Sequence, residues 1–442
     1  MKKDFFKKKN KDGDRSTREK IEGFASGVAD FFDPEPEKEK ILRHEDFGGA
    51  GDEYYAVVSS RYKVVGRVFA VLCVVFLLFS ILTNMSNITY ENLFYFAREF
   101  GSAVDMASVQ HETISYDVYK DQNFTLYRGG LAAVSPSNVS LYTATGRKTY
   151  GGRSSYVAPY SVASKKYLLV YDVSGQGFSL YNSFSKVYSE TFDYPITDAA
   201  ISESGVFAVV TRSSEFKTVI NVYSEKINLV GRYSHKEYAL DVAIDDDGKR
   251  MAVLFYSIGD GTGITELRVY DITKSHESDE DDSLGRVLLE EQFNGVFPLG
   301  CTFLDNGALS VVTDGTVTLF DEKYEVTQSI GFIEEVSAFC ADSSGVAIAI
   351  RSGALNDLNR VIAFDQKGEQ IYDASVKSSA DGIGIKGKYL FLKSTHGVLR
   401  LDTENKNTEE QSCPTGKLIV YDEDTAIVCG ESSASYVKFN RE

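Results

Sequence analysis

The feature that most limits the possible folds of this chain is a short pattern that recurs eight times in its long C-terminal part. Each copy is a strand-like run of alternating apolar residues, most often ending in an aromatic side chain and then a small polar one. The copies are SLYT (140–143), SLYN (179–182), NVYS (221–224), RVYD (268–271), TLFD (318–321), IAFD (362–365), LRLD (399–402) and VKFN (437–440). Only Leu401 replaces the aromatic residue. The spacing of roughly 40 residues is the period of β-propeller blades.

A second element precedes many of these copies: an apolar strand, a polar turn that ends in glycine, and another apolar strand. The clearest examples are 198–210, 241–255, 301–312 and 338–350. We expect the glycines of these turns to supply the positive φ that hairpins need. They are Gly205, Gly248, Gly307 and Gly345. The strands that follow are apolar at nearly every position, so both of their faces are expected to be buried against neighbouring sheets.

The number of strands predicts how the ring closes. The last unit, 417–440, ends after its third strand, and residues 114–119 (ISYDVY) are a candidate for the missing outer strand. Pairing the two would join the ends of the repeat region and remove an exposed edge. We therefore predict an all-β fold, an eight-bladed β-propeller over residues 111–442, with seven blades as the alternative. A tandem of β-sandwiches fits less well because the repeat unit is too short for one.

One long apolar stretch, residues 64–83, precedes the repeats. As a helix with a rise of about 1.5 Å per residue, it would span roughly 30 Å, the thickness of a bilayer core. A buried core helix is the alternative, but such helices rarely run so far without a polar face. Arg61, Lys63 and Arg67 crowd its N-terminal side, and the positive-inside rule then places the N-terminus in the cytoplasm. We predict an uncleaved signal-anchor that spans the lipid bilayer, with the propeller outside the plasma membrane.

Two further segments flank this stretch. Residues 1–63 are lysine-rich and then acidic, with low apolar content, so we expect a largely disordered cytoplasmic head. Within it, apolar residues at near-helical spacing in 19–32 leave open a short amphipathic helix that lies on the membrane or docks on a protein. Residues 84–110 are expected to form a stalk with a short juxtamembrane helix at about 90–100, which Gly101 ends.

Charge and cysteine content narrow the possible partners. The net charge is −17 and falls mostly in the repeat region, which argues against nucleic acid as a partner.

Cys73 lies in the apolar stretch, whereas the other four cysteines lie in the repeats. A disulfide between Cys413 and Cys429 is the first pairing to test, and four separate thiols are the alternative. The lack of a C-x-x-C pair and the scattered histidines argue against a zinc site.

No motif in the sequence predicts a reaction. The sequence contains no G-x-S-x-G, Walker loop or H-E-x-x-H. The aromatic–aspartate pairs at 270–271 and 320–321 occupy equivalent places in the repeat, so we interpret them as turn residues. Residues 245–248 (DDDG) resemble part of a calcium loop but lack the EF-hand glutamate, and the acidic segment 276–283 is expected to be a solvated loop in the fourth blade. We therefore assign no catalytic, cofactor-binding or metal-binding residue, and no cofactor.

The combination of a lysine-rich head, one signal-anchor, the juxtamembrane sequence NITYENLFYF (87–96) and a tyrosine-rich eightfold repeat resembles a bacterial family defined by a domain of unknown function. The similarity covers about 64–442. It implies a single-pass, membrane-anchored protein of Gram-positive anaerobes whose propeller faces the cell wall. The broader relatives that it implies are WD40-like and quinoprotein-like propellers, and it carries over no catalytic residue.

Three functional hypotheses remain open, and a non-enzymatic role is preferred over an enzymatic one. The first is an interaction or scaffold module at the cell envelope that binds an envelope protein or a wall polymer. The second is a small-ligand receptor or an enzyme with a site at the central channel. The third is a transmembrane signalling protein. A large exposed apolar patch on one face of the disc would favour the first, and charged or hydroxyl side chains with shifted pKa values at the channel mouth would favour the second.

Overall fold

The computed structural model describes residues 113–440, apart from 260, 274–285, 343 and 353–357, together with residues 65, 68–76 and 79. The chain forms two compact units, residues 1–98 and residues 99–442. In the first unit the described residues are helical. No helix among the described residues combines the length and the apolar character needed to cross a membrane. The predicted cytoplasmic head (1–63) and the predicted stalk (84–110) lie outside the described residues.

The described part of the second unit consists of eight four-stranded antiparallel sheets, each of which is one blade. The first strand of the chain, β1 (Ile114–Ser115), belongs to the last blade. Blade 1 consists of β2 (Asn123–Tyr127), β3 (Gly130–Val134), β4 (Asn138–Tyr142) and β5 (Lys148–Arg153). Blade 2 consists of β6 (Pro159–Ala163), β7 (Leu168–Asp172), β8 (Gly177–Tyr181) and β9 (Lys186–Thr191). Blade 3 consists of β10 (Asp198–Ile201), β11 (Phe207–Thr211), β12 (Thr218–Tyr223) and β13 (Leu229–His235). Blade 4 consists of β14 (Tyr238–Ile244), β15 (Arg250–Gly259), β16 (Thr262–Asp271) and β17 (Arg286–Asn294).

The remaining four blades follow the same order. Blade 5 consists of β18 (Pro298–Phe303), β19 (Leu309–Thr313), β20 (Thr316–Phe320) and β21 (Val326–Gly331). Blade 6 consists of β22 (Val336–Asp342), β23 (Gly345–Arg351), β24 (Asn359–Asp365) and β25 (Gln370–Val376). Blade 7 consists of β26 (Gly382–Lys386), β27 (Tyr389–Lys393), β28 (Gly397–Asp402) and β29 (Thr408–Ser412). Blade 8 consists of β30 (Lys417–Val420), β31 (Thr425–Cys429), β32 (Ser433–Lys438) and β1.

The blades close into a ring. The first strand of each blade contacts the first strand of the next, and β30 contacts β2, so the eight first strands surround a central channel. The eight-bladed prediction is therefore confirmed, and the seven-bladed alternative is wrong. The second strands are buried along their whole length in β3, β7, β11, β19, β27 and β31. This burial confirms the interpretation of their continuous apolar runs.

The hydrophobic core lies between the blades. Each of eight buried clusters joins two neighbouring sheets. One residue of the sequence repeat, within one position of the end of a third strand, enters each cluster from the second of the two blades in chain order, with blade 1 following blade 8. These residues are Tyr142, Tyr181, Tyr223, Tyr270, Phe320, Phe364, Leu401 and Phe439. A side chain of this size fills the space between two twisted sheets, which explains why the aromatic residue recurs.

The repeat residue also marks a local irregularity in the sheet. In blades 1 to 6 the register between the third and fourth strands shifts at this aromatic residue. Leu401 is not aromatic, and the pairing of β28 with β29 runs through it without a shift. Such a bulge bends the strand and increases its twist. The aromatic side chain and the bulge therefore occur together in blades 1 to 6, and blade 7 lacks both. In blade 8 the pairing of β32 with β1 ends before it reaches Phe439.

The ring is completed by the predicted strand from the start of the repeat region. Ile114 pairs with Ala434 and Ser115 with Ser433 in an antiparallel ladder. The ladder is shorter than the predicted 114–119, since only two residues pair. Tyr116 extends the contact, because its N–H donates to the carbonyl oxygen of Ser432 at 3.1 Å and its hydroxyl to that of Gly430 at 2.7 Å.

A buried arginine holds the seam between blades 7 and 8. The side chain of Arg400 on β28 is 6% exposed and lies within 3.1 Å of the Glu409 carboxylate and 3.2 Å of that of Asp424. It also donates to the carbonyl oxygen of Asn440 at 2.8 Å. Its guanidinium lies 4.5 Å from the ring centroid of Tyr389. Two carboxylates, a carbonyl and an aromatic face therefore neutralise and fix this charge.

Candidate functional site

The antiparallel blades give the disc two different faces. Face A carries the connections between blades and the turns between second and third strands, for example 295–297 and 332–335. Face B carries the turns between first and second strands and between third and fourth strands, for example 202–206. Because successive turns of an antiparallel sheet alternate between its two ends, this assignment follows from the strand order.

Exposed apolar side chains are concentrated on face A. Nine of the exposed large apolar residues described in the propeller belong to this face: Val118, Val157, Tyr194, Tyr238, Leu240, Ile258, Phe297, Ile333 and Leu358. Ile333 is 99% exposed and Ile258 is 75% exposed. Four more, Val187, Leu229, Val287 and Val326, lie on the outer strands near face B. Face A thus carries more exposed large apolar side chains than face B among the described residues, which favours an interaction module.

A cavity of about 570 Å³ lies in the central channel. It is lined by the first strands of blades 2 to 6, together with Tyr171 and Val173 from blade 2. Most lining residues are small or apolar, such as Ala199, Ala243 and Leu299. The polar side chains among them include Asp198, Asp241, Tyr160, Tyr171 and Thr302. The volume falls within the range of small-molecule sites, which is about 300–1,000 Å³.

Asp198 begins β10 at the face A end of the channel. Its Oδ1 accepts a hydrogen bond from the hydroxyl of Tyr171 at 2.9 Å. Its Oδ2 accepts the backbone N–H of Val242 in the next blade at 3.0 Å. Tyr171 also stacks edge-on against Tyr160, with ring centroids 5.8 Å apart. The carboxylate therefore links blade 3 to blade 4 while it remains at the cavity wall.

Asp241 repeats this arrangement one blade later. Its Oδ2 accepts the backbone N–H of Cys301 in blade 5 at 2.6 Å. Asp198 pairs across its sheet with Val210, and Asp241 pairs with Leu254 at the equivalent place. In each case the carboxylate accepts the backbone N–H of a residue in the next blade, and that residue comes directly after the position equivalent to the aspartate. Backbone N–H donors of this kind hold a partly buried carboxylate in place.

In blade 5 the equivalent position is Gly300, which ends the series. It pairs with Val312 as Asp198 and Asp241 pair with their partners in blades 3 and 4. A Cβ atom at Gly300 would lie 3.2 Å from the ring of Phe339 and 3.7 Å from Oδ2 of Asp241. A side chain here would therefore crowd the cavity wall, so the glycine keeps space open beside the carboxylate.

The surroundings raise the pKa of both carboxyl groups. Burial, together with the nearby charge of Asp241, raises the pKa of Asp198 to about 8. Burial raises the pKa of Asp241 to about 6, although the N–H of Cys301 opposes the shift. Burial and Asp241 also raise the pKa of the Cys301 thiol, so this thiol stays protonated and is not an activated nucleophile. The channel thus contains the polar groups with shifted pKa values that favour a ligand site.

The aspartates of the two aromatic–aspartate pairs, Asp271 and Asp321, are turn residues, as interpreted from the sequence. The Oδ1 of Asp321 accepts the N–H groups of Lys323 and Glu325 at 2.9 and 2.8 Å. Asp271 accepts the N–H of Thr273 in the same way. The four predicted glycines of the first hairpins all have positive φ, as expected: Gly205 (93°), Gly248 (71°), Gly307 (81°) and Gly345 (148°).

The structure also describes two other features considered from the sequence: the DDDG segment (245–248) and the cysteine pair Cys413 and Cys429. Asp245 accepts the N–H groups of Lys249 and Arg250 at 2.7 and 3.0 Å, which makes it a turn residue, as interpreted from the sequence. Cys413 and Cys429 both have free thiols and pack against different core clusters. The disulfide that the sequence suggested as the first pairing to test is therefore not formed. The acidic segment 276–283 lies outside the described residues.

The sequence interpretation missed Asp198 and Asp241. Both begin similar segments, DAAI (198–201) and DVAI (241–244), which precede the glycine turns. Alignment of the repeats on their glycines would have placed the two aspartates in one position, and a polar residue at a fixed place on an otherwise apolar strand is a signal. The contacts themselves join residues 44 and 60 positions apart, and no local pattern predicts them.

Comparison with known proteins gives the fold and a family. Sqt1 of Saccharomyces cerevisiae matches with 10% identity over 74% of this chain and 100% of that chain, with a TM-score of 0.52, so the two share a fold. BamB of Moraxella catarrhalis matches with 13% identity over 75% of this chain and 99% of that chain, with a TM-score of 0.48. A search of curated proteins found no match. The model of a family of unknown function, DUF5711, matches residues 104–434. The chain therefore belongs to the DUF5711 family, in agreement with the resemblance to a domain of unknown function.

Proposed function

We propose that this protein is an interaction module of the cell envelope that binds a protein partner through face A. The observation that carries the proposal is the concentration of exposed apolar side chains on that face, which includes Ile258, Phe297 and Ile333. Apolar and aromatic groups form the centres of protein–protein interfaces.

The proposal includes a membrane anchor at residues 64–83, with the N-terminus in the cytoplasm and the propeller outside. This part rests on the sequence, namely the long apolar stretch and the basic residues Arg61, Lys63 and Arg67 on its N-terminal side. The partner is then a protein that lies outside the plasma membrane, and the second contact of the chain is the lipid bilayer.

Site-specific photo-crosslinking in the native membrane tests the docking face. A photoreactive residue at Ile333 on face A is compared with one at Val326, which is 54% exposed and lies at the start of β21 near face B. We expect a discrete adduct from position 333 that is weakened by Phe297→Ser, and none from position 326. Equal adducts from both positions, or none from position 333, would contradict docking at face A.

Thiol labelling in whole cells tests the sidedness separately. We expect a membrane-impermeant maleimide to label Ile333→Cys more than the parent protein, and to label Ser16→Cys in the head only after lysis. Labelling of the head in intact cells with protection of position 333 would reverse the proposed orientation.

The cavity in the central channel supports a second candidate function, a receptor for a small ligand. The specific observation is that two carboxylates with raised pKa values line a space large enough for such a ligand. Transmembrane signalling depends on residues 1–63, which lie outside the described residues, and stays a prediction.

A further inference from the structure

We infer that the central cavity binds an organic cation, an ammonium or guanidinium group, between the carboxylate of Asp241 and the exposed rings of Tyr160 and Phe339. The inference rests on the second candidate function, the ligand site in the channel, and does not depend on docking at face A.

The first argument is the sign of the charge. The lining of the cavity contains Asp198 and Asp241 but, within the described part of the chain, no lysine, arginine or histidine. The hydrogen bond from the N–H of Cys301 holds the Asp241 carboxylate without neutralising it, whereas Asp198, whose pKa is raised to about 8, keeps its proton at neutral pH. A negative charge at a partly buried position without a basic neighbour attracts a cation more strongly than it would in water.

The second argument is the aromatic surface. Tyr160 on the first strand of blade 2 is 43% exposed, and Phe339 on the first strand of blade 6 is 38% exposed. Both rings line the same cavity as the carboxylates. Aromatic faces attract ammonium and guanidinium groups, and a pair of rings beside a carboxylate is a recurring arrangement for them. Rings that remain partly exposed inside a cavity are available for such contacts.

The third argument separates an organic cation from a metal ion. Ca²⁺ and Mg²⁺ bind six or more oxygen ligands in a polar cage. Here the carboxylates share the wall with apolar side chains, such as Val162, Ile244 and Leu299. No group of three or more potential metal ligands occurs among the described residues. The apolar side chains beside the carboxylates can contact the methylene groups of an organic cation, whereas they offer no ligand to a metal ion.

The same chemistry has two possible sources. One is a free small molecule, and the other is a lysine or arginine side chain of a protein that docks on face A. Asp198 and Gly300 lie near the face A ends of their strands, so a side chain from that face has access to the carboxylates.

Calorimetric titration of the purified full-length protein tests the inference. The probe is N-acetyl-arginine methylamide, and its neutral isostere, N-acetyl-citrulline methylamide, is the control. We expect saturable binding of the arginine probe only. Asp241→Asn should weaken it at least about tenfold, because the charge-assisted contact is lost. Tyr160→Ala should weaken it about 2- to 5-fold.

A matched variant controls for damage to the fold. Asp314 lies on face A outside the cavity, and its carboxylate accepts the N–H of Phe297 at 2.7 Å, a backbone contact like that of Asp241. Asp314→Asn should therefore bind the probe as the wild type does. Binding should also strengthen from pH 5 to pH 8 as the carboxyl groups of Asp198 and Asp241 ionise, which keeps the inference testable if a variant does not fold.

Three results would overturn the inference: no saturable binding of the arginine probe, equal binding of the citrulline isostere, or unchanged affinity in Asp241→Asn. Such a failure leaves the crosslink from Ile333 unaffected, so it is distinguishable from a failure of docking at face A. Where the probe binds, competition with that crosslink identifies a partner side chain as the source of the cation, and an unaffected crosslink identifies a free ligand.

Discussion

The seam between blades 7 and 8 and the central channel both hold ionisable side chains where blades meet, and they differ in how charge is compensated. At the seam between blades 7 and 8, Arg400 contacts two carboxylates, a carbonyl oxygen and an aromatic ring. In the channel, Asp198 and Asp241 also link neighbouring blades, but only neutral donors hold them. Both sites contribute to the ring, yet the charge of Asp241 has no basic side chain in the lining of the cavity to compensate it.

The difference separates a structural role from a functional one. A buried charge with complete compensation stabilises its partners and has little left to offer a ligand. A charge that is held in position without a counter-ion raises the energy of the empty site, and a cation that enters lowers it again. A polar side chain that bridges two blades therefore stabilises the ring at the seam between blades 7 and 8 and contributes to binding in the channel.

The largest expected effect comes from removal of the compensated charge. Arg400→Met leaves the carboxylates of Glu409 and Asp424 without this partner, and we expect the free energy of unfolding to fall by about 3 to 5 kcal/mol. Chemical denaturation of the full-length protein measures it. The control is Arg360→Met, which breaks a more exposed pair with Asp373 and should cost at most about 1 kcal/mol. Equal losses in the two variants would show that burial of the seam is unimportant.

An intermediate effect is expected from the pH dependence of stability. The pKa of Asp198 is raised on folding, so the folded chain retains a proton that the unfolded chain releases. Stability is therefore lost as pH rises from about 4, the ordinary value of the group, towards 8. In Asp198→Asn this loss should be smaller by at least about 1.4 kcal/mol, the equivalent of one pKa unit. Thermal unfolding at a series of pH values checks it, and identical curves for variant and wild type would argue against an uncompensated charge.

The smallest effect on stability is expected for Asp241→Asn. The amide oxygen still accepts the N–H of Cys301, and the repulsion from Asp198 disappears. The free energy of unfolding at pH 7 should therefore change by less than about 1 kcal/mol. Denaturation under the conditions used for Arg400→Met gives the comparison. A loss as large as that of Arg400→Met would make the carboxylate of Asp241 a structural group.

The sequence predicts the propeller well because each blade repeats its own local rules. The aromatic residue near the end of the third strand and the glycine of the first hairpin are local patterns that the structure confirms. The closing strand is also present, although it is shorter than the predicted 114–119. The register shift that accompanies the aromatic residue was not predicted, because a bulge depends on how the third and fourth strands pair. The membrane anchor at 64–83 stays a prediction.

The candidate site depends on long-range geometry that the sequence does not contain. In the sequence, Asp198 and Asp241 resemble ordinary polar residues at strand ends. Only the closed ring places each carboxylate beside the backbone of the next blade. Likewise, Tyr160 and Phe339 become ligand candidates only when both line one cavity. Exposure of Ile333 on a blade connection depends in the same way on the closed ring.

The most direct test of the central claim is the titration of Asp241→Asn with N-acetyl-arginine methylamide, beside Asp314→Asn and the wild type. The account predicts that Asp241→Asn keeps wild-type stability and loses at least about tenfold in affinity, while Asp314→Asn loses none. Wild-type affinity in Asp241→Asn, or the same loss in both variants, would contradict it.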